Sequence, residues 1–127
     1  MAKTIAIPNW NGRVSPLFDT ALSVTLVEIE NNSEVGRMAE NIQSPRPEQR
    51  VELLVQFDVE TLICGAISRP LAHRAQVSGI QVIGWITGQL EKVLAAYLTG
   101  QLPADRFMMP GRITEPWREH HSRNMRN

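Results

Sequence analysis

Three short apolar runs constrain the fold of this chain most, because apolar runs bounded by turn-forming or polar residues are typical of buried strands. They lie at residues 3–8, 61–64 and 80–83. Two further β-rich segments, residues 23–30 and 34–39, flank an Asn-Asn-Ser turn and therefore predict a hairpin. The sequence thus predicts five strands.

Three helices are predicted between and after these strands. Ser44 can cap the first helix, with Pro45 at the first helical position, where a missing N–H costs nothing. Ser68 can cap the second, and Gly79 suits the left-handed position at its end. Gly100 ends the third helix. The apolar face of that helix consists of Leu90, Val93, Leu94, Tyr97 and Leu98.

The resulting order, β, ββ hairpin, α, β, α, β, α, predicts an α/β fold with helices on both faces of a mixed five-stranded sheet. This order matches a ribonuclease-H-like three-layer layout. The length of 127 residues suits a single domain. We place that domain at residues 1–102 and expect residues 103–127, rich in Arg and containing two His, to form a partly disordered tail.

The charge balance excludes some partners. Lys+Arg and Asp+Glu are each 13, so no global basic field is available to hold a nucleic acid. The sequence begins without the apolar core of a signal peptide, and its longest uncharged stretch is too interrupted to span a bilayer. We therefore expect a cytoplasmic protein that binds neither nucleic acid nor membranes.

The single cysteine, Cys64, limits any metal chemistry. It excludes a disulfide scaffold and a site built from four thiolates within one chain. Cys64 is either an inert small hydrophobe at the end of a strand or a metal-ligating thiolate, its pKa lowered by the adjacent helix N-terminus. His73, His120 and His121 are the other candidate metal ligands, and the alternative for each is a solvated surface side chain.

Three glycine-containing loops, at residues 9–16, 65–70 and 84–88, follow the three predicted parallel strands. Ligands of open α/β sheets collect at this edge. Arg13, Arg69 and the N-terminus of the second helix together suggest an anion pocket; the alternative is a tight turn, a simple cap and two solvated arginines. The candidate cofactor-binding residues are Asn11, Gly12, Arg13, Ser15, Gly65, Ser68, Arg69 and Trp85.

The sequence lacks the residues that several classes of enzyme need. A nuclease of the ribonuclease H type needs carboxylates around two metals, and the first predicted strand offers none. No P-loop or dinucleotide fingerprint is present. An enzyme acting on a small anion would need a titratable pair in the loops, and no convincing pair is found. We therefore predict no enzymatic activity.

Residues 12–19, Gly-Arg-Val-Ser-Pro-Leu-Phe-Asp, resemble a signature of the nitrogenase iron–molybdenum cofactor biosynthesis family, which includes NifX-type carriers and the C-terminal domain of NifB. Residues 59–68 resemble its second signature, a strand ending in a glycine turn. Residues 79–83 and 90–100 resemble its closing strand and helix. The similarity covers roughly residues 3–102. Over its length the chain resembles the small stand-alone members of the family.

The resemblance implies a ribonuclease-H-like fold without nuclease activity that binds or carries a metal–sulfur cofactor. In some relatives the stretch matching Met109-Pro110-Gly111 continues into cysteines, whereas here Arg112-Ile113-Thr114 follows. The leading expectation is a non-catalytic carrier of an iron–molybdenum–sulfur cluster, its precursor or a thiomolybdate-like oxyanion. Cofactor-assembly proteins and a second copy of the chain are the expected partners. The alternative is a metal-free protein-interaction or regulatory module on the same fold.

Overall fold

The computed structural model describes residues 2–102 and 107–109. Six strands and three α-helices lie within these ranges. The strands are β1 (Lys3–Trp10), β2 (Arg13–Val14), β3 (Ser23–Glu30), β4 (Ser33–Asn41), β5 (Val59–Ile63) and β6 (Gln81–Ile83). The helices are α1 (Glu48–Gln56), α2 (Arg69–Val77) and α3 (Leu90–Leu98), and a 3-10 turn covers Phe18–Thr20.

The strands form one mixed sheet in the order β4-β3-β1-β5-β6, with β2 paired to β1 outside this path. β1 is antiparallel to β3 and parallel to β5, and β5 is parallel to β6. The mixed α/β architecture is confirmed, but the predicted count of five strands is wrong. The additional strand exists because Asn11 and Gly12 have φ values of 52° and 78° and turn the chain back onto β1. An Asn-Gly pair is the strongest short hairpin signal in a sequence, and the prediction treated it as loop.

Alternate residues of the central strands point to opposite faces of the sheet, as the strand period of two requires. Ala6 and Leu62 belong to a buried cluster that includes residues of α1 and α2. Ile5, Ile7 and Ile63 belong to a second cluster that includes residues of α3. Helices therefore cover both faces, as predicted, and the molecule has three layers. The narrower ribonuclease-H-like description stays a prediction.

The ends of α2 and α3 follow the local signals. The Ser68 hydroxyl accepts a hydrogen bond from the backbone N–H of Leu71, so Ser68 caps α2 as predicted. Gly79 and Gly100 follow α2 and α3 with φ values of 88° and 73°, which side-chain-bearing residues rarely adopt. No helix in the described part of the chain is long and apolar enough to cross a membrane.

The start of α1 differs from the prediction. Ser44 and Pro45 precede the helix, which begins at Glu48 after Pro47, and no side chain caps it. The Ser44 hydroxyl instead accepts a hydrogen bond from the N–H of Arg46, 3.1 Å away. The predicted capping position was therefore wrong by three residues, because Ser44 forms a local turn that competes with helix initiation.

The outer edge of the sheet is β4. Asn31 and Asn32 join it to β3 with φ values of 54° and 62°, the positive pair that a two-residue hairpin turn of type I′ requires. None of the nine residues of β4 is buried. Arg37 on this strand binds Glu34 at 2.6 Å and Glu91 of α3 at 2.5 Å. These contacts tie the exposed edge to the helix on one face.

Candidate functional site

The loops that follow β1 and β5 meet at the carboxyl edge of the parallel strands. The N–H of Ala66 donates to the carbonyl of Pro16, and the N–H of Phe18 donates back to the carbonyl of Ala66, both at 2.8 Å. Leu17 and Ala66 form an isolated parallel bridge between these hydrogen bonds. The convergence expected from the parallel topology is therefore present for these two loops.

Gly65 lies at the closest point between the same two loops. A Cβ atom built on Gly65 would lie 2.6 Å from the carbonyl oxygen of Ser15 and 2.7 Å from that of Pro16. The same Cβ would also lie 3.0 Å from Cε of Met109. Carbon atoms do not approach oxygen this closely without strain, so glycine is required here by packing rather than by its backbone angles.

The loop after β6 completes the cluster. The backbone N–H of Trp85 donates to the carbonyl of Gly65 at 2.8 Å. The carbonyl of Gly88 accepts a hydrogen bond from the backbone N–H of Val14 at 3.0 Å. Trp85 itself adopts a φ of 63°, a conformation that few side chains tolerate, so the surrounding contacts hold this loop in a strained form. All three predicted loops thus come together, and backbone hydrogen bonds hold them in place.

Residues 107–109 border this cluster. The N–H of Thr87 donates to the carbonyl of Phe107 at 2.7 Å, and the N–H of Met109 donates to the carbonyl of Trp85 at 2.8 Å. Met108 forms an antiparallel bridge with Ile86, and Phe107 is buried. Residues 107–109 therefore pack against the loop cluster. Other residues of the predicted tail, including His120 and His121, lie outside the described residues.

The N-terminus of α2 is not the open anion pocket that the sequence suggested. The backbone N–H of Ser68 donates to Oδ1 of Asp19 at 3.0 Å, so a carboxylate from the first loop already binds there. Arg69 is exposed at the first position of the helix, and Arg13 is exposed on β2. The two arginines remain available at this edge, whereas the Ser68 amide is occupied.

Asp19 is the functional-site residue that the prediction missed. It closes the segment 12–19, in which Val14, Ser15 and Phe18 are buried and the backbone N–H of Ser15 donates to the carbonyl of Pro8. No local signal could have revealed the role of Asp19, because its partner lies 49 residues later in the chain. The segment thus has a structural role in joining the first loop to α2.

Cys64 does not have the properties of a metal-binding thiolate. Its side chain is fully buried, and burial raises the pKa of the thiol well above its usual range, with a further contribution from the Asp19 carboxylate. Of the two alternatives for Cys64, the raised pKa favours the inert small hydrophobe, because desolvation of the thiolate exceeds the stabilising field of the helix. His73 is exposed on α2. Residues 2–102 and 107–109 contain no group of three or more His, Cys, Asp or Glu that could hold a metal ion.

The fold and the site define a class: a small three-layer α/β domain whose candidate ligand site is built from loops, without a protein metal cluster in its described part. Residues 1–100 match the family model described as dinitrogenase iron-molybdenum cofactor, and the chain belongs to this family. Membership associates the chain with the biosynthesis or binding of that cofactor, and members of the family are generally accessory or carrier proteins.

Several solved structures share this fold. The protein PH0822 has a TM-score of 0.75 and 19% identity, over 80% of this chain and 94% of its own. The apo form of the orange protein from Desulfovibrio gigas has a TM-score of 0.68 and 19% identity, over 83% and 94%. A Thermotoga protein proposed to be NifB has a TM-score of 0.63 and 20% identity, over 78% and 90%. No curated protein matches the chain significantly.

Proposed function

We propose that this chain is a non-catalytic binding and carrier protein for an anionic metal–sulfur cofactor. The cargo is an iron–molybdenum–sulfur cluster, a precursor of it, or a thiomolybdate-like oxyanion. The observation that carries the proposal is the convergence of three loops at one sheet edge, with Arg13 and Arg69 exposed on that edge, in a member of this family. The proposed partners are cytoplasmic cofactor-assembly proteins that deliver and receive the cargo, and a second copy of the chain.

The proposed mode of binding needs no thiolate from the protein. Cys64 is fully buried, so its thiol does not reach a cargo at the loop edge in this conformation, and burial raises its pKa. Arginine carries its charge at every physiological pH, and its planar fork can donate several hydrogen bonds to oxo and sulfido groups. The exposed turn at Asn11 and Gly12 lies beside Arg13 and offers further polar atoms. Binding through charge and hydrogen bonds is reversible, as a carrier requires.

The same geometry supports the absence of catalysis. Proton transfer needs a side chain that can reach a substrate and change its protonation state. The Cys64 thiol is inaccessible, and the Asp19 carboxylate is engaged by the Ser68 amide. The loops therefore suit binding better than reaction.

The proposal is tested by anaerobic loading. The purified chain is incubated with tetrathiomolybdate or with a preformed molybdenum–iron–sulfur cluster and desalted, and the retained molybdenum and iron are measured by mass spectrometry. We expect retention by the wild type and a strong loss in Arg13→Ala and Arg69→Ala. Arg74→Ala is the matched control, because this exposed arginine lies in the last turn of α2, away from the loop edge. Equal retention in all four proteins would refute the proposal.

A metal-free interaction or regulatory module is the second candidate function. The burial of Cys64, together with the lack of a metal-holding group in the described ranges, favours it. In that case the wild type would retain no metal in the loading experiment, while cofactor-assembly proteins would still bind the metal-free chain. Retention that depends on Arg13 would exclude this alternative.

A further inference from the structure

The sequence contains a single Asn-Gly pair, Asn11-Gly12, and the structure places it at the tip of the β1–β2 hairpin. Both residues are exposed. Apart from its chain neighbours, no described residue lies within 4 Å of a Cβ atom built on Gly12. No side chain therefore shields the backbone nitrogen of Gly12 from solvent or from the side chain of Asn11. An asparagine beside so open a nitrogen can react within its own chain.

The reaction needs only the chain and water. The backbone nitrogen of Gly12 loses its proton to hydroxide and attacks Cγ of Asn11, so that a new C–N bond forms. The Cγ–Nδ2 bond then breaks, and the amide nitrogen takes a proton from water and leaves as ammonia. Water opens the resulting succinimide ring at either carbonyl, which gives aspartate or an isoaspartate whose chain continues through the former side chain. Nothing is oxidised or reduced, and one negative charge is gained.

The folded hairpin controls how readily this nitrogen reacts. The Gly12 N–H donates to Oδ1 of Asn9 at 3.0 Å, and the carbonyl of Gly12 accepts from the N–H of Leu90 at 2.9 Å. The bond to Asn9 opposes the reaction, because it stabilises the protonated form of the nitrogen. β1 and β2 are paired at only two positions, so the tip can open when few sheet contacts break. The reaction is therefore slowed but not prevented.

The product changes the part of the candidate site that carries Arg13. A carboxylate at position 11 is separated from Arg13 by one residue, and its charge offsets that of the guanidinium. Isoaspartate also adds one atom to the backbone between Trp10 and Arg13, which are paired across the hairpin. The added atom moves Arg13 out of this register.

We propose that Asn11 is a site of spontaneous deamidation, that the Asn9 side chain holds its rate down, and that the product weakens anion binding at the loop edge. The third part rests on the proposed cofactor function, whereas the first two rest on the hairpin alone. Asn31 and Asn32 provide a comparison within the same chain. They are also exposed in a two-residue turn, with φ values of 54° and 62°, but neither precedes a glycine.

The test follows deamidation of the full chain in mildly alkaline buffer. Peptide mapping by mass spectrometry measures the aspartate and isoaspartate formed at each asparagine, and we expect most of the product at Asn11 and little at Asn31 or Asn32. Asn9→Ala should speed the reaction at Asn11 about fivefold, the factor expected for the loss of one hydrogen bond. Asn9→Asp keeps the acceptor oxygen and is the matched control, with a rate close to that of wild type. Circular dichroism checks that each variant retains the fold.

Different outcomes would overturn the first two parts. Native wild type that forms no more product at Asn11 than at Asn31 and Asn32 would overturn the assignment of the site. Equal rates in Asn9→Ala and Asn9→Asp would overturn the role of Asn9. If Asn9→Ala does not fold, the wild type in urea replaces it, and a rate at Asn11 no higher than in the native protein would refute the restraint.

The effect on the candidate site is measured separately. Fresh wild type and wild type already deamidated at Asn11 are loaded with tetrathiomolybdate, and the deamidated form should retain less molybdenum. Equal retention by the two forms would overturn this effect. No retention by either form would overturn the proposed function and the third part with it, and would leave the deamidation of Asn11 and the role of Asn9 standing.

Discussion

Replacing Gly65 by alanine is the sharpest test of the loop cluster. The added methyl group would lie 2.6 and 2.7 Å from two backbone carbonyl oxygens, those of Ser15 and Pro16. Neither oxygen can move freely, because Pro16 accepts a 2.8 Å hydrogen bond from Ala66 and the N–H of Ser15 donates to Pro8, also at 2.8 Å. Relief of the clash therefore requires the two loops to separate.

The expected cost combines two effects. Overpacking of a tight interior costs about 1–3 kcal/mol, and a buried backbone hydrogen bond that is stretched or lost adds about 1 kcal/mol. We therefore expect Gly65→Ala to lower the free energy of unfolding by about 2–4 kcal/mol, with a fall in Tm of about 10 °C for a domain of this size. Urea titration followed by tryptophan fluorescence measures the first quantity, and a thermal melt measures the second.

Gly36→Ala is the matched control, because its Cβ meets only the Glu28 side chain, with the flexible Oε1 end at 3.1 Å and Cβ at an ordinary contact distance of 3.7 Å. Alanine is also preferred to glycine within a strand, so this variant should be neutral or slightly more stable. If Gly65→Ala destabilised the protein no more than Gly36→Ala does, the close approach of the two loops would be refuted.

Three further predictions follow from single side chains. Arg50→Met should lower the free energy of unfolding by about 2–3 kcal/mol, because its buried guanidinium donates to the carbonyl of Ala21 at 3.1 Å. Cys64 should resist thiol reagents in the native protein and react only after unfolding, because it is fully buried and its pKa is raised. Arg37→Ala should cost less than about 1 kcal/mol at neutral pH, because its ion pairs with two glutamates lie at the solvent-accessible surface.

The loss of stability expected in Arg37→Ala also depends on pH. Hydrogen bonds from Arg37 hold the pKa values of Glu34 and Glu91 below their usual range. A lowered pKa in the folded state gives stability that is present above the unfolded-state pKa and is lost as the pH falls through the folded-state pKa. The difference between wild type and Arg37→Ala should therefore shrink in acid, whereas a difference that grows there would contradict this ion network.

Controls separate these effects from general damage to the fold. Arg50→Lys keeps the charge but not the planar fork, so it should recover only part of the stability lost in Arg50→Met. Stability similar to wild type in Arg50→Met would show that the buried hydrogen bonds contribute little. Rapid labelling of Cys64 under native conditions would show that its burial is not maintained in solution. Arg74→Ala, on α2, should show no acid-dependent difference.

The sequence could predict the order of elements because each depends on local chemistry. The runs at residues 3–8, 61–64 and 80–83 became β1, β5 and β6, since apolar residues bounded by turns favour buried strands. Ser68 and Gly79 marked the ends of α2, because caps act over a few residues. The convergence of the loops followed from the parallel strands alone.

The properties of the site depended on contacts that no local pattern reveals. Asp19 binds the Ser68 amide across 49 positions, which changes the N-terminus of α2 from an open anion site to an occupied one. The raised pKa of Cys64 depends on its complete burial. The sequence alone could not show whether burial or the field of the adjacent helix would have the larger effect on that pKa. Long-range packing thus decided the chemistry of these groups.

The central claim is that the loop edge holds an anionic metal–sulfur cargo through arginine rather than through the cysteine thiolate. The most direct measurement is the molybdenum retained per chain after anaerobic loading with tetrathiomolybdate, compared among wild type, Cys64→Ala and Arg13→Ala. The account predicts that Cys64→Ala retains as much molybdenum as wild type and that Arg13→Ala loses most of it. Loss of retention in Cys64→Ala, with full retention in Arg13→Ala, would contradict it.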